Sequence, residues 1–519
     1  MDTKALRQKI LDLAIRGKLV PQDPNDEPAE VLLERIREQK QQMFKEGKLK
    51  KKDIKNDTII FKGEDNLHYE KFQDGTVKCI EDEIPFEVPE GWAWCKLNDI
   101  YNFIDYRGAT PTKITNGIPL VTAKNVKSGY IDYTIDDYIS EEEFKERQQR
   151  GISKKGDILF TTEAPLGNAA LADMEKFSAG QRLITFQQYG SKNELINYVM
   201  LMFILSDFFQ QQLYVNKTGS TVAGIKAAIL KTLWIPVPPY NEQLRISNTL
   251  KSAINLIDSI SKNKEILSTS ISNTKSKILD LAIRGKIVPQ DPNDEPASVL
   301  LERIRAEKEE LIKQGKIKRD KKESVIFKGD DNSYYEKIGN KVNCIDEEIP
   351  FELSEGWAFI RLKTAWKLIS GRDLSPSEYN DKNDGIPYIT GASNFRNGHI
   401  SLVRWTTVPQ VITRRGDLLL TCKGTIGEIA HNNFGEAHIA RQIMAIRNIY
   451  SLNVDFLALC IEYSMTKIKQ AAKGLIPGIS REDILNLVIP IPPTKEQENI
   501  CNKLKTTFSA IEHIEKSLN

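Results

Sequence analysis

Residues 9–29 read KILDLAIRGKLVPQDPNDEPA, and residues 277–297 read KILDLAIRGKIVPQDPNDEPA. Only Leu19 against Ile287 separates the two. A duplication this close predicts two copies of one structural unit in a single chain, related by approximate two-fold symmetry. Such a shape suits a target with two halves, of which DNA is the commonest.

The match runs on outward. Val31–Arg37 recurs as Val299–Arg305, and Phe61-Lys62-Gly63 as Phe327-Lys328-Gly329. Ile84-Pro85-Phe86-Glu87 and Gly91-Trp92 recur as Ile349-Pro350-Phe351-Glu352 and Gly356-Trp357. Beyond these points only the punctuation persists. Gly117-Ile118-Pro119 answers Gly385-Ile386-Pro387, Gly156-Asp157-Ile158-Leu159 answers Gly416-Asp417-Leu418-Leu419, and Gly167 answers Gly427. Both copies close on a proline-rich stretch, Ile235 to Pro239 and Ile489 to Pro493. Two modules, 92–239 and 357–493, therefore share a framework and differ in most side chains, which suggests two different readings by one mechanism. GDILFTTEA and GDLLLTCKG have the pattern of short buried strands entered by a turn. Leu195–Leu213 and Val454–Ala471 have helical spacing, so each module is read as α+β.

Between the modules, Ile246, Leu250, Ala253, Ile257, Ile260, Lys264, Leu267, Ile271, Thr274, Ile278 and Leu281 alternate spacings of four and three. That is a coiled-coil seam, and a helix of that span makes a rod of roughly 60 Å. Ile500, Leu504, Thr507, Ile511, Ile514 and Leu518 repeat its first half; Thr3, Leu6, Ile10 and Leu13 repeat its second. The two chain ends are thus expected to be half-helices packed antiparallel on the central one, with one module at each end of the rod. The whole is a pseudo-two-fold, circular internal repeat. Gly17 and Gly285 are expected to stop the preceding helices, with Pro21 and Pro289 beyond. Asp26 and Asp294 are expected to cap shorter helices ending near Gly47 and Gly315.

A chain of 519 residues needs several cores, and 40% hydrophobic with 28% charged residues is ordinary globular composition. The net charge of +2 neither demands nor excludes a nucleic acid. Two matched basic runs, Lys48, Lys50, Lys51, Lys52, Lys55 and Lys316, Lys318, Arg319, Lys321, Lys322, read first as solvated linker faces. The cysteines Cys79, Cys95, Cys344, Cys422, Cys460 and Cys501 form no CxxC pair or disulfide framework, which fits a reducing cytosol. Cys79 and Cys344, equivalent in the repeat, are expected to be buried rather than bridged. No apolar leader or membrane-length apolar run is present in the sequence, so a cytoplasmic protein is expected.

Reagents of catalysis are missing from the sequence. There is no GxxxxGK[ST] phosphate loop, and His68, His399, His431, His438 and His513 have no metal-ligand spacing. Asp157 and Asp417 open strands, but a nuclease centre needs further carboxylates and a downstream lysine; Glu163 in one copy is Lys423 in the other, so both Asp residues read as turn formers. Pro238-Pro239-Tyr240 imitates the Asp/Asn-Pro-Pro-aromatic loop of adenine methyltransferases. Val237 stands where the amide or carboxylate acceptor belongs, so the stretch reads as a strand end leading into a helix.

Together, the LDLAIRGKLVPQDPNDEPAxxLLxRIR block, the GDIL and IPxPPxxEQ markers and the two divergent modules resemble the specificity subunit of a type I restriction–modification system. The opening block is most similar to the subfamily with an extended N-terminal region. The resemblance covers essentially the whole chain. It implies an α+β protein with two target recognition domains separated by long antiparallel coiled-coil helices. The segments would be an N-terminal half-helix (1–20), a loop, short helix and basic linker (21–91), the first recognition domain (92–239), the central helix (240–285), a second linker region (286–356), the second recognition domain (357–493) and a C-terminal half-helix (494–519).

The resemblance further implies a bipartite, asymmetric double-stranded DNA target. Two methylation subunits would dock on the helices and act at adenine N6 with S-adenosylmethionine. Two restriction subunits would add cleavage driven by ATP and Mg. The chain itself would bind no cofactor or metal and catalyse nothing. Base readers should lie in polar loops where the modules differ, since Arg suits guanine and Asn or Gln suits adenine. The candidates are Arg107, Thr110, Lys113, Lys124, Asn125, Arg182, Lys217 and Thr221 in the first module. In the second they are Arg372, Ser393, Asn394, Arg396, Lys423, Arg441, Gln442 and Lys473. Candidates for the subunit-binding helices are Ile246, Leu250, Ile257, Ile260, Leu267, Ile271, Ile278, Leu281, Ile500, Leu504, Ile511 and Ile514.

Overall fold

The computed structural model describes residues 2–55, 57–106, 110–134, 136–148, 151–190, 194–219, 223–319, 323–396, 398–450, 452–471 and 478–518. They divide into two compact units, Met1–Lys264 and Glu265–Asn519. The division falls where the internal repeat starts over. Each unit therefore holds one full copy: a half-helix, the near-identical block, one module and the complementary half-helix.

The first unit opens with α1 (Thr3–Ile15), capped by Asp2, whose carboxylate accepts from the Lys4 and Ala5 amides. Gly17 then turns left-handed at φ +64°, and Lys18 N donates to Leu13 O at 2.7 Å. A Cβ here would lie 2.3 Å from Pro89 Cγ, so only glycine lets the chain turn against that ring. Helix α2 (Ala29–Lys45) begins behind Pro28 with no side-chain cap. Asp26, expected to cap it, instead takes a charged partner, Arg245, at 2.5 Å. The short α3 (Lys51–Ile54) lies within the basic run, and β1 (Ile59–Lys62), β2 (His68–Lys71) and β3 (Val77–Cys79) follow as an antiparallel sheet in that order.

The module itself comprises β4 (Ala93–Lys96), α4 (Leu97–Ile100), β5 (Tyr101–Asp105), β6 (Ile118–Val121), β7 (Tyr138–Ile139), α5 (Glu141–Arg147), β8 (Ile158–Thr161), β9 (Ala169–Leu171), β10 (Ser178–Ala179) and β11 (Leu183–Gln188). Helices α6 (Asn197–Ile204), α7 (Asp207–Val215) and α8 (Ala227–Leu230), strand β12 (Trp234–Val237) and the 44-residue α9 (Tyr240–Ile283) complete it. The single helix expected over Leu195–Leu213 is two, because Ser206 ends one and caps the next by accepting from Phe209 N. The central sheet runs β5-β11-β8-β9, all antiparallel; β10-β6-β7 stands beside it, and β12 closes on β4. β8 is buried on both faces, packing Ile158 and Phe160 into one apolar cluster and Leu159 into another.

The second unit repeats this order with α10 (Ala297–Lys313), β13 (Ser324–Lys328), β14 (Tyr334–Ile338), β15 (Lys341–Cys344), β16 (Ala358–Arg361), α11 (Leu362–Ala365) and β17 (Trp366–Ser370). Then come β18 (Ile386–Ile389), β19 (Phe395–Arg396), β20 (His399–Ile400), β21 (Trp405–Thr406), β22 (Ile412–Thr413), β23 (Leu418–Thr421), β24 (Ile429–His431), β25 (Ala437–Ile439) and β26 (Ile443–Asn448). It ends with α12 (Val454–Ala471), α13 (Arg481–Leu485), β27 (Val488–Ile491) and α14 (Thr494–Leu518). The central sheet is β17-β26-β23-β24, matching the first unit strand for strand.

The IPxPPxxEQ marker has a structural reason. Glu242 accepts from the Trp92 indole at 2.9 Å and Glu496 from that of Trp357 at 3.0 Å, while Gln243 and Gln497 donate back to Pro238 O and Pro492 O. Each long helix is thereby fixed to its module by buried polar contacts. Within the first unit, Arg7 pairs with Asp258 and Gln22 with Glu242, so α1 runs antiparallel to the start of α9. Within the second, Lys275 pairs with Glu515 at 2.7 Å near the end of α14.

Two further expectations are corrected. Ile246, Leu250, Ile257, Ile271, Ile500 and Leu504 are buried inside the chain, and Ile260, Ile278, Leu281 and Ile511 partly so. Ile246 and Leu250 belong to the first module's core and Ile500 and Leu504 to the second's, so these are packing residues rather than a docking face. Of that set only Leu267 and Ile514 are exposed. Cys79 and Cys344 are free, exposed thiols on β3 and β15, because each of those strands is the outer strand of its sheet.

Candidate nucleic-acid interface

Because β11 is antiparallel to both β5 and β8, the chain leaves β5 and β8 and enters β11 at one end of the sheet. Five loops of the first module meet there. Gln181 donates to Thr110 Oγ1, Arg182 pairs with Glu163 at 3.1 Å, and Gly224 bridges both Glu163 and Thr218. Gly180 N reaches Val121 O, and Gly129 N reaches Ala169 O, which brings in the loop after β6. The second module gathers the equivalent loops. Gln442 O accepts from Cys422 N as Arg182 O does from Thr162 N, and Ala440 N reaches Ile389 O.

One loop is closed by the same asparagine staple in both, with one residue more before Asn394 than before Asn125. Asn125 accepts from Thr122 N at 3.0 Å and donates to Asp132 O at 3.0 Å, while Asp132 N returns to Asn125 O at 2.7 Å. Asn394 accepts from Thr390 N at 3.0 Å and donates to Ser401 O at 2.8 Å, while Ser401 N returns to Asn394 O at 2.7 Å. Asn125 and Asn394 are 3% and 1% exposed. The expectation that they read bases is therefore corrected: their amides are spent on holding the loop. The tip that each staple presents differs. Lys127 and Tyr130 stand in one, Arg396 and His399 in the other. Tyr130, 61% exposed, and His399 were not singled out from the sequence. The paired signal Asn-x-x-x-Gly, at Asn125 with Gly129 and Asn394 with Gly398, could have found them.

The remaining candidates are placed as follows. Thr110 and Arg182 lie at the sheet end; Lys217 is exposed next to Thr218, which bridges Gly224 there, and Lys124 is exposed on the stapled loop. Lys113 is exposed but held by Asp137 at 2.6 Å. Arg372, Ser393, Arg396, Lys423, Arg441 and Gln442 are all exposed around the second sheet end. Arg441 is oriented by Asp373 at 2.7 Å. Arg107, Thr221 and Lys473 lie outside the described residues. At one equivalent position the charge inverts: Glu163 beside Arg182 in the first module corresponds to Lys423 and Gln442 in the second. Equal backbones with unequal donors and acceptors can discriminate different base edges.

Polar groups beneath the surface serve the frame. Asp157 accepts from Lys154 N and Gln187 Nε2, each at 2.7 Å, and burial pushes its carboxyl up to about 6. Asp417 accepts from Arg414 N and from Nε and Nη2 of Arg447, at 2.9 and 2.7 Å. His438 is fully buried, with Nε2 at 2.8 Å from Arg372 O and Nδ1 accepting from Val411 N; burial lowers its pKa, so the neutral ring positions the Arg372 loop. Among the described residues no group of three or more His, Cys, Asp and Glu could hold a metal ion, and no helix is long and apolar enough to cross a membrane.

Residues 89–268 and 354–519 match the family model described as the type I restriction modification DNA specificity domain. The chain is similar to the EcoAI type I specificity subunit of Escherichia coli, 27% identical across 97% of this chain and 90% of that one. It is 26% identical to the Escherichia coli EcoEI specificity subunit, across 99% and 90%. Among solved structures, a chain described under complex assembly and conformational transition of the type I R-M system shares the fold. Its TM-score is 0.57 at 19% identity, covering 84% of this chain and 94% of that one. A family match over both modules, on a fold that repeats one recognition frame with two sets of side chains, places this chain in the family of type I restriction–modification specificity subunits, recognition components rather than catalysts.

Proposed function

We propose that this chain reads a bipartite, asymmetric duplex DNA sequence, one half by module 92–239 and the other by module 357–493. The observation that carries the reading is the Asn-stapled loop, closed by the same bonds in both modules and different at its tip. Phosphate contacts from exposed Lys and Arg would set the register, and the unlike tips and loop residues would choose the bases. The long helices at 1–20, 240–285 and 494–519 would act as antiparallel coiled-coil spacers that fix the unread gap. The linker regions 21–91 and 286–356 complete each copy. Two methylation subunits, with S-adenosylmethionine, would modify adenine N6 in each half. Two restriction subunits, using ATP and Mg, would cut unmodified DNA in the cytoplasm. The cofactors belong to those partners in this reading.

The test is methylome sequencing of cells that make this chain with its methylation subunits, against cells lacking the chain. One asymmetric two-part motif with a fixed spacer and N6-methyladenine in each half is expected. An intact complex with no chain-dependent methylation refutes the reading and leaves a protein-binding scaffold.

A further inference from the structure

In the first unit, helix α2, the start of β1 and the turn from β4 into α4 border a cavity of about 200 Å³, room for one small organic molecule or several waters. Lys40 lines it and is 2% exposed. Its ammonium donates to Asp57 Oδ1 at 2.7 Å and to Asn98 O at 3.0 Å. The other Asp57 oxygen, Oδ2, is buried and accepts no hydrogen bond among the described residues. A buried carboxylate oxygen left bare costs stability, and the cavity that Asp57 lines is where a donor can enter.

The charges around the cavity do not balance. Arg37 pairs with Glu34 and Lys40 with Asp57, and each pair is neutral. Glu30 and Asp99 also line the space, and neither enters an ion pair among the described residues. Asp99 uses one oxygen, Oδ2, to accept from Lys96 N at 2.8 Å. Glu30 is exposed and marks the mouth, whereas Asp99 is less accessible. Two negative charges are thus left over, one at the mouth and one further in. Apolar side chains, Leu33 and Trp94 among them, form part of the wall.

The internal repeat supplies a comparison within the same chain. In the second unit Lys308 meets Glu323 at 2.9 Å, so the ion pair under the cavity is kept. Both surplus carboxylates are gone: Ser298 stands in place of Glu30 and Thr364 in place of Asp99. The space is gone with them, since the equivalent pocket holds only about 20 Å³. Glu323 reaches one methylene further than Asp57, and Ile360 is bulkier than Cys95. The frame therefore closes without either carboxylate, and the first copy keeps an open, doubly negative cavity that folding does not require.

We infer that this cavity, in the first copy alone, binds a small linear diamine. One ammonium group donates to Asp57 Oδ2 and Asp99, the other meets Glu30, and the methylenes between them lie against Leu33 and Trp94. Two positive charges match the two that are left over, and the ligand's N–H groups supply the donor that Asp57 Oδ2 lacks. A bound diamine would tie α2 and β1 to the start of the module.

Calorimetric titration of the full chain with putrescine, without DNA, tests this. One equivalent per chain should bind. Glu30→Ser with Asp99→Thr, which installs the second copy's own residues, should weaken binding by about tenfold or more. Glu30→Ser alone, at an exposed position that leaves the fold intact, should weaken it severalfold. Hydrogen exchange with millimolar putrescine should slow in Ile59–Lys62 and stay unchanged in the equivalent Ser324–Lys328. No saturable binding by the folded wild-type chain overturns the inference. Unchanged affinity in the folded variants, or equal protection of both copies, overturns it in favour of loose attraction to acidic surface. Butylamine bound as tightly as putrescine overturns the two-charge match.

Discussion

Asp157 and Asp417 occupy the same turn of the two modules, yet one meets a neutral amide and the other a guanidinium, so the same substitution should have opposite effects. Asp157 is 7% exposed, and burial pushes its carboxyl up to about 6 from its ordinary 3.8 because it opposes the charge. A raised folded-state value means the ionised form is the costly one. Stability from this group is full below the unfolded value, falls as pH rises from 3.8 to 6, and is flat above. The whole step is about 3 kcal/mol, of which about 2 lies between pH 4.5 and 7.5. Asp157→Asn keeps an oxygen for Lys154 N and Gln187 Nε2, both of which bond one carboxylate oxygen, Oδ2. At pH 7 it should be neutral or stabilising by about 1–2 kcal/mol, after about 1–2 is lost to the new amide donors. Asp417→Asn removes the charge opposite Arg447, whose side chain is 23% exposed, and should cost about 2–4 kcal/mol. Hydrogen exchange on the full chain resolves the two modules, through Ile158–Thr161 with Leu183–Gln188 and Leu418–Thr421 with Ile443–Asn448. The difference between wild type and Asp157→Asn should shrink as pH falls from 7.5 to 4.5 and then change sign. Equal destabilisation by both substitutions, with no pH dependence of the Asp157 difference, would refute the reasoning.

Asn125→Ala and Asn394→Ala each remove a staple that bonds backbone on both sides of a loop, and should cost about 2–3 kcal/mol in local exchange protection. In methylation assays each should weaken its own half-site without selecting a new base, whereas Tyr130→Ala should relax base choice with stability intact. Gly17→Ala meets both a left-handed backbone and Pro89 at 2.3 Å, while Gly47→Ala, at φ +75°, meets nothing within 4 Å. Thermal unfolding should therefore show the first well beyond the roughly 1 kcal/mol expected for the second.

The repeat, the long helix, the helix stops at Gly17 and Gly285 and the strands after Gly156-Asp157 and Gly416-Asp417 were legible in the sequence. Each is a local signal: a spacing of apolar residues, or a glycine where the backbone turns left-handed. The family resemblance rested on the same near-identical blocks and on the IPxPPxxEQ marker, whose Glu242 and Glu496 anchor the long helices to Trp92 and Trp357. Tertiary structure decided the rest. It spent Asn125 and Asn394 on backbone and gave Asp26 to Arg245 instead of a helix end. It also sank Ile246, Leu250, Ile500 and Leu504 into module cores. Periodicity tells which side of a helix is apolar but not what covers it, and residue type tells what an amide can bond but not whether its bonds are already used. The exposed thiols of Cys79 and Cys344 make the same point from the other side. Whether a strand of three or four residues lies inside a sheet or at its edge depends on which strands pair around it, and pairing is a property of the folded chain.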